Sequence, residues 1–381
     1  METREDGVQN GSELWKVATD RLADFERARG VVMRHGWNTT CFQIINPGID
    51  YWFGPDGESV VGFVSSGRVR VVAGAPVCSE ETLEVVTRQF EDDSKSDGRS
   101  VCYFGAEARL EKIVHDDPQH SMVLLGAQPV WHPARWADVV AKHSSLRAQL
   151  NRARNKGVTV SEWPIDRAHD SPELRDCLES WLSIKGLPPL HFVIEPETLE
   201  RLENRRIFVA ERDGRVEAFL VLSPIPTRKG WLTEQFPHRQ GAPNGTVELM
   251  MDAAIRAVAA ENCEYVTLGL SPLSKRAKIE PFDNPVWLRF LLAWMRKHGQ
   301  RFYNFDGLDH FKSKLQPENW EPVFAISNER EFSGRTLWAI AMAFTENKPF
   351  RVFGRGIAKA IKAEMGNLRR WMFPRSRKAN A

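Results

Sequence analysis

The 381-residue chain is poor in cysteine, and its five cysteines lie far apart without a C-x-x-C pair. The sequence therefore predicts neither a zinc knuckle nor a disulfide framework, and it favours a reducing cytoplasm. Long hydrophobic runs are also missing, since stretches such as "LWAIAMAF" (337–344) are much shorter than the ~20 residues of a membrane span. No charged-then-apolar leader opens the chain, and we predict that it does not cross a bilayer.

The composition is that of a folded soluble protein, with 42% apolar and 27% charged residues and room for two domains. The net charge is +2, but residues 350–381 carry nine Lys or Arg against Glu364 alone. Phe353, Ile357 and Ile361 recur there at helical spacing, which predicts a basic amphipathic helix at the surface of an anionic membrane. The alternative is a terminal helix docked on the protein itself.

The order of elements repeats along the chain. Residues 12–34 are predicted to form a helix with Ser12 as a possible cap, followed by β-like runs, a helix at 79–98 and a strand at 100–106. "RIFVAERDGRVEAFLVLSPIP" predicts two strands around a "DG" turn, and from there to "EYVTLGL" (264–270) the pattern predicts a third strand, a helix and a closing strand. We therefore predict an α/β fold with two mixed halves, 1–160 and 161–330, and a helical extension, 331–381.

A basic helix is predicted between the halves, in "SLRAQLNRARNKG" (145–157). Leu146, Leu150 and Ala153 form its apolar face, and Gly157 can end it in a left-handed conformation. Its charged side either lies in solvent or contacts a phosphate backbone, and the residues alone leave both readings open.

Two helix starts are candidate anion sites, because the N–H groups at a helix N-terminus attract anions. Glu80 and Glu81 already neutralise the first of them. The second, "HRQGAPNGTVE", has His238 and Arg239 ahead of it and Glu248 as its one acid. The sequence thus predicts the reactive site in the second half, with His238 as a secondary candidate base.

A strand, a glycine-containing loop, a helix and a strand in this order are typical of the acyltransferase fold that usually binds acetyl-CoA. Here Pro243 removes one N–H donor from the loop, and Ala242 stands where the spacing from Arg239 calls for glycine. A CoA donor is therefore disfavoured.

Four segments together resemble one family: "RHGWNTTCFQIINPG", "LRAQLNRARNKGV", "APNGTVELMMDAAIRAVAAENCEYVTLGLSPLS" and "RFYNFDGLDHFKSKLQPENWEPVF". They look like the C-terminal catalytic domain of the phosphatidylglycerol lysyltransferases, also called lysylphosphatidylglycerol synthases or multiple-peptide-resistance factors, from about residue 30 to residue 326. The resemblance implies tandem acetyltransferase-like (GNAT-type) folds with mixed sheets. It also implies transfer of an aminoacyl group from aminoacyl-tRNA to a hydroxyl, typically of a lipid headgroup, by a cytoplasmic protein at the inner face of the membrane.

The resemblance also implies roles for particular residues. An aminoacyl ester is already activated, so the reaction needs alignment, a proton acceptor and charge, and we expect no metal and no cofactor. We expect Glu248 or Asp306 to bind the α-amino group or accept the acceptor's proton. The predicted substrate-binding residues are Arg239, Asn244, Gly245, Asn304, Lys312 and Lys314. The predicted tRNA-binding residues are Arg147, Arg152, Arg154 and Lys156.

Several of these residues have simpler explanations. Glu248 can complement its helix dipole, Asp306 can cap a following helix, and Gly245 can serve only the turn. The stretch "RFYNFDGLDHFKSKLQP" (301–317) predicts a strand, a break at Gly307 and a short helix. If that helix runs through residue 314, Lys312 and Lys314 point about 200° apart and only one of them is functional. If it loosens earlier, both can hold one phosphate.

The sequence departs from the family in two respects. We expect no multi-span membrane domain like that of the full-length synthases, and the acceptor is therefore left open. Gly241 stands where an acid is common before "APNG", so no polar role carries over to it. Three alternatives therefore remain: an acyl-CoA-dependent N-acyltransferase, aminoacyl transfer to a non-lipid small molecule, and a catalytically silent module that binds membrane or RNA.

Overall fold

The computed structural model describes residues 6–184, 191–194, 198–277, 286–288 and 305–345. Their strands are β1 (Asp50–Phe53), β2 (Val60–Ser66), β3 (Val69–Ala73), β4 (Ser100–Ala106), β5 (Ser121–Trp131), β6 (Thr159–Trp163), β7 (Arg206–Arg212), β8 (Arg215–Ile225), β9 (Gly230–Gln235), β10 (Tyr265–Thr267), β11 (Ser271–Pro272) and β12 (Asn319–Ser327). Their α-helices are α1 (Asp6–His35), α2 (Leu83–Ser96), α3 (Ala108–Val114), α4 (Trp136–Lys142), α5 (Ser144–Asn155), α6 (Ile165–His169), α7 (Pro172–Ile184), α8 (Thr246–Ala260), α9 (Phe305–Lys314) and α10 (Gly334–Phe344).

All of these strands belong to one mixed sheet, in the order β1-β2-β3-β4-β12-β5-β10-β9-β8-β7-β6, with β11 paired to β5. The pairs β3/β4 and β9/β10 are parallel, and the remaining pairs are antiparallel. Strand β12, near the end of the described residues, lies between β4 and β5. The sheet is therefore continuous across both halves of the chain.

Each half contains the same unit. Strands β1 to β3 are antiparallel, and α2 then leads to β4, which runs parallel to β3. Strands β7 to β9, α8 and β10 repeat this arrangement. The α/β prediction with tandem acetyltransferase-like units and a mixed sheet is confirmed. The domain boundary near residue 160 stays a prediction.

Two local patterns in the sequence are borne out by the backbone. Asp213 and Gly214 join β7 to β8 with φ angles of 52° and 74°, which is the left-handed conformation that a tight hairpin needs. Helix α5 buries Leu146, Leu150 and Ala153, as its periodicity predicts, and Gly157 follows it with a φ of 79°.

Helices cover both faces of the sheet. One face packs against α1, α10 and the short 3₁₀ helix Cys41–Ile45. On the other face, α2 and α3 cover the first half and α4, α5 and α8 cover the second half. Apolar burial on both faces is what allows Val, Ile and Phe to follow one another in strands such as β8.

Two predicted helix starts were wrong. Helix α1 already includes Asp6, so Ser12 lies inside it and cannot cap its N-terminus. Helix α2 begins at Leu83 with Thr82 as its N-cap residue, four residues after the predicted start. Helix α1 thus begins with polar turns that the apolar periodicity does not indicate. The connection before α2 is longer than that periodicity indicates.

The prediction for residues 301–317 needs a correction at its centre. Helix α9 begins at Phe305, so Asp306 and Gly307 are helical and do not form the predicted strand end and break. An acid in the first turn favours this earlier start through the helix dipole. Residues 301–304, including Asn304, lie outside the described residues, as do residues 346–381 with the predicted basic helix.

Candidate active site

The loop 236–245 brings the chain from β9 to the N-terminus of α8. Gly245 is the N-cap residue with a φ of 95°, and Thr246 donates from both its N–H and its hydroxyl to the carbonyl of Pro243. A Cβ on Gly245 would lie 2.2 Å from the carbonyl oxygen of Gln149 in α5. Gly245 therefore lets the basic helix α5 approach the start of α8.

Replacing Gly245 with alanine should lower the free energy of unfolding by about 3 kcal/mol, measured by urea denaturation. A positive φ costs a residue with a side chain about 1–3 kcal/mol, and forced overpacking adds about 1–3 kcal/mol. Gly241→Ala is the matched control, because Gly241 has a φ of 87° but no atom within 4 Å of the added Cβ. Equal losses for the two variants would contradict a packing role for Gly245.

The polar residues of this loop and helix differ in how they are held. Glu248 lies half-buried in the first turn of α8, and none of the described residues pairs with its carboxylate. Asn244 is exposed. Arg239 donates from Nε to the Val216 carbonyl at 2.8 Å, so this guanidinium also anchors the loop to β8. His238 is exposed, and its Nδ1 lies 3.0 Å from the Phe236 carbonyl.

Helix α9 meets the loop through aromatic side chains. The rings of Phe236 and Phe311 lie 5.8 Å apart, and the carbonyl of Leu315, just past α9, accepts from Trp131 Nε1 at 2.9 Å. The structure thus brings together the two segments in which the sequence predicted catalytic residues. Asp306 belongs to the first turn of α9, and only its backbone is described.

Lys312 lies under α9 and is only 2% exposed. Its Nζ donates to the carbonyls of Gly269 at 2.9 Å and Leu270 at 2.8 Å. Burial lowers the pKa of Lys312 to about 7. Because α9 continues through Lys314, that second lysine points about 200° away and is exposed. The two lysines therefore lie in different surroundings and do not hold one phosphate together. The alternative in which only one of them is functional stays a prediction.

Lys312 occupies the point where β9 and β10 separate. The last paired residues of these parallel strands are Leu232 and Thr267. The carbonyls of Gly269 and Leu270, just beyond Leu268, both accept from Lys312 Nζ. Diverging parallel strands beside a helix N-terminus form a natural opening for a ligand.

The corresponding opening in the first half is filled by the chain itself. There β3 and β4 end their pairing at Ala73 and Phe104. Asn38 donates to the Gly105 carbonyl at 3.0 Å, and the Thr40 hydroxyl would lie 2.3 Å from a Cβ on Gly74. This is the structural role of the "GWNTT" part of the early motif. The reactive site in the second half stays a prediction.

The basic residues of α5 fall into two groups. Arg147 donates to the carbonyls of Val140 and Ala141, and Arg154 pairs at 2.9 Å with Asp252, which is 2% exposed. Arg152 and Lys156 are exposed and, within the described residues, form no ion pair. Helix α5 and its C-cap residue Lys156 therefore offer two cations without an ion pair among the described residues, and the tRNA-binding role of all four residues stays a prediction.

The sequence analysis missed a buried polar network on the other face of the sheet. We call it the seam cluster; its members are Thr39, Glu107, Gln128, Arg228, Tyr265 and Glu321. Arg228 binds Glu107 Oε2 at 2.6 Å and Glu321 Oε2 at 3.0 Å. Burial raises the pKa of Glu107, and nearby Arg228 opposes that rise. Thr39 and Glu321 both lie in segments that resemble the family. That resemblance was the one sign in the sequence that these residues matter.

A second buried ion pair lies at the carboxyl end of β9. Arg205 Nε binds Glu234 Oε1 at 2.6 Å, and the two side chains are 1% and 7% exposed. Arg205 also donates to Asn46 Oδ1 at 3.2 Å, which joins this pair to the "IINPG" end of the early motif. The charge types were visible in the sequence, but their pairing across the fold was not.

The match to a known family covers the range over which the sequence resembles it, from about residue 30 to residue 326. The family model described as "Phosphatidylglycerol lysyltransferase, C-terminal" matches residues 29–327. The chain belongs to this family. It is similar to the phosphatidylglycerol lysyltransferase of Bacillus subtilis, with 22% identity over 301 residues that cover 78% of this chain. The chain spans 34% of that relative's length.

Solved structures of the family show the same fold. The C-terminal domain of a protein assigned as a lysylphosphatidylglycerol synthetase of Agrobacterium fabrum has a TM-score of 0.73 at 21% identity, covering 86% of this chain and 98% of that one. L-PGS from Bacillus licheniformis has a TM-score of 0.69 at 20% identity, covering 84% and 95%. At these identities the likeness concerns the fold.

Among the described residues, no group of three or more His, Cys, Asp or Glu side chains could hold a metal ion. No helix within the described ranges is long and apolar enough to cross a membrane.

Proposed function

We propose that the chain is an aminoacyltransferase that moves an aminoacyl group from aminoacyl-tRNA to a hydroxyl of a phosphatidylglycerol-like lipid headgroup. The observation that carries this proposal is the family match over residues 29–327, which includes α5, the loop 236–245, α8 and α9. The relative from Bacillus subtilis carries the name of such a transferase. Because the chain spans only 34% of that relative's length, the tRNA donor and the lipid acceptor are proposed here and not taken over from the relative.

The chemistry needs a base and an oriented ester. The aminoacyl ester is already activated, so attack by a hydroxyl needs removal of its proton and stabilisation of the oxyanion. Glu248 supports this proposal because its half-buried carboxylate has no partner among the described residues and lies in the first turn of α8. Asp306 is the second candidate, in the first turn of α9. No metal or nucleotide enters these steps.

Phosphate recognition is divided between two surfaces. Arg152 on α5 and Lys156 just after it are exposed cations suited to the tRNA backbone. Binding that neutralises phosphates depends on salt. Lys314 is the exposed lysine of α9 and is the better of the two lysines for a lipid phosphate. Lys312 holds the strand end that borders the opening.

The direct test is incubation of the protein with total tRNA charged with labelled amino acids and with vesicles that contain phosphatidylglycerol. We expect label in the lipid fraction, and prior ribonuclease treatment should abolish it. Absence of transfer with every amino acid, together with acyl transfer from CoA, would replace the proposal with an N-acyltransferase.

Glu248→Gln and Asp306→Asn should each lower the rate of transfer, by about 10²–10⁴-fold for the residue that acts as the base. Both substitutions keep the side-chain size, so thermal unfolding should change little. Glu84→Gln is the matched control, because Glu84 is an exposed helical acid of α2 paired with Arg88. Unchanged transfer in both site variants would overturn the assignment of the base.

The membrane part of the proposal rests on residues outside the described ranges. Nine Lys or Arg against one Glu in residues 350–381 predict attraction to anionic lipid of about 1 kcal/mol per basic residue near the surface. Truncation after residue 348 should therefore abolish sedimentation with phosphatidylglycerol vesicles. Retained sedimentation of the truncated protein would contradict a membrane role for the basic segment.

A further inference from the structure

The seam cluster carries more negative than positive charge. Two carboxylates, Glu107 and Glu321, share one guanidinium, that of Arg228. Within the described part of the chain, no other cation lies within ion-pair distance of either carboxylate. Glu107 is 2% exposed and the Glu321 side chain 30% exposed. A partly dry site with an excess of one negative charge is costly. Burial raises the pKa of Glu107 for this reason, and a cation that joins the site lowers the same cost.

The carboxylate of Glu321 is held in one orientation. Its Oε2 accepts from Arg228 Nη1 at 3.0 Å, from the Tyr265 hydroxyl at 2.9 Å and from Gln128 Nε2 at 3.2 Å. Among the described residues, nothing donates to its Oε1. Gln128 is itself fixed by the hydroxyls of Thr39, at 3.0 Å, and Tyr265, at 3.2 Å. The network thus positions one free acceptor oxygen on a partly exposed side chain.

The arrangement suits a primary ammonium better than a divalent cation. A divalent metal prefers several converging oxygen ligands, whereas here a guanidinium stands between the two carboxylates. An ammonium is a compact single charge with three donors, and it needs acceptors that are already oriented. Glu321 Oε1 is such an acceptor. The Tyr265 ring, with Arg228 4.6 Å from its centre, already faces a cation.

The cluster is adjacent to the candidate active site through the sheet. Gln128 pairs with Glu321 across β5 and β12. Its neighbour Ala127 pairs with Ser271, which directly follows the Leu270 carbonyl held by Lys312. Neighbouring strands lie about 5 Å apart. One strand therefore separates the cluster from the strand end that borders the opening.

We propose that the seam cluster binds the primary ammonium group of the amino acid on the donor, with Glu321 Oε1 as the acceptor. This inference rests on the proposed function and adds a binding residue to it. Glu248 and Asp306 are then left with the role of accepting the acceptor's proton. The ammonium and the carboxylate form a charge-assisted hydrogen bond, and no covalent bond changes in this step.

The test uses alaninamide, which has a primary α-ammonium and a neutral amide, and lactamide, in which a hydroxyl replaces the ammonium. Binding to the full chain is followed by NMR titration at fixed ionic strength. We expect alaninamide to bind and lactamide to bind at least tenfold more weakly. Glu321→Gln should weaken alaninamide binding at least tenfold, because the amide keeps the shape but removes the charge.

Glu318→Gln is the matched control, because Glu318 lies three residues before Glu321 and its carboxylate pairs with Arg135 at 3.0 Å. Alaninamide binding to this variant should equal that of the unmodified chain, and circular dichroism checks that both variants are folded. The inference is overturned if alaninamide does not bind at up to ~100 mM, the range of very weak ligands. Equal binding of lactamide, or an unchanged affinity in Glu321→Gln, overturns it as well.

A kinetic measurement separates this inference from the proposed function. If the chain transfers amino acids from tRNA and Glu321→Gln leaves the KM for the donor unchanged, the inference fails and the function stands. If alaninamide binds through Glu321 but no charged tRNA supports transfer, the function fails and the ammonium site stands. A raised KM together with weakened alaninamide binding supports both.

Discussion

Replacing Arg228 with methionine should lower the free energy of unfolding by about 3–5 kcal/mol at pH 7. The loss has this size because removing one partner of a buried ion pair leaves an uncompensated charge. Here the remaining charge is Glu107, whose only ion-pair partner among the described residues is Arg228, at 2.6 Å. Urea denaturation at pH 7 measures the change.

Two further variants make the reason testable. The double variant Glu107→Gln/Arg228→Met should regain much of the loss, because no buried charge at position 107 then remains. Arg34→Met is the surface control: the Arg34 side chain is 51% exposed and pairs with Glu58, so its loss should stay below about 1 kcal/mol. An equal loss in the single and double variants would show that the charge of Glu107 is not the cause.

The single variant should also depend on pH. Burial already raises the pKa of Glu107, and loss of Arg228 removes a group that lowers it. A carboxyl with a raised folded-state pKa destabilises the fold only when it is ionised, at pH values above its unfolded pKa. The destabilisation should therefore shrink as the pH falls and Glu107 becomes protonated.

Replacing Lys312 with methionine should change how stability depends on alkaline pH. The pKa of Lys312 is about 7 in the folded chain, against 10.5 when it is unperturbed. Between these two values the unfolded chain binds one proton more than the folded chain, so the unmodified protein gains stability as the pH rises. The slope is about 1.4 kcal/mol per pH unit, and Lys312→Met lacks it.

From pH 7 to pH 10, the unmodified chain should therefore gain about 3–4 kcal/mol relative to Lys312→Met. The measurement is the free energy of unfolding of both proteins at pH 7, 8.5 and 10, and the difference cancels the other titrating groups. Lys314→Met is the control, because it removes an exposed lysine from the same helix and leaves the buried amine of Lys312 in place. If the free energies of unfolding of Lys312→Met and of the unmodified chain change in parallel with pH, Lys312 is not buried in the folded protein.

Local patterns predicted much of this fold because their causes are local. The Asp213–Gly214 turn follows from the φ angles that these residues tolerate, and the buried face of α5 follows from helical spacing. The loop before α8 was placed correctly for the same reason. Its proline, glycines and acid act on the backbone within a few residues.

The centre of the sheet was not predictable in this way. Strands β5 and β12 contain Pro129 and Pro322, which argue against a central strand, and their register shifts at Val323. Their paired residues lie about 190 to 206 positions apart in the sequence. Lys312 was predicted to hold phosphate. Its burial was not predictable, because lysine is rarely buried and the two carbonyls that accept from it are more than 40 residues away.

The position of β12 sets an order of events during synthesis. Because this strand enters between β4 and β5, the facing edges of those two strands have no partner until residues 319–327 have left the ribosome. Unpaired edges promote pairing with other chains, so the nascent first half must be protected or remain loosely folded until then. Closure of the sheet is thus one of the last steps of folding, and it also brings Glu321 to Arg228 and Tyr265.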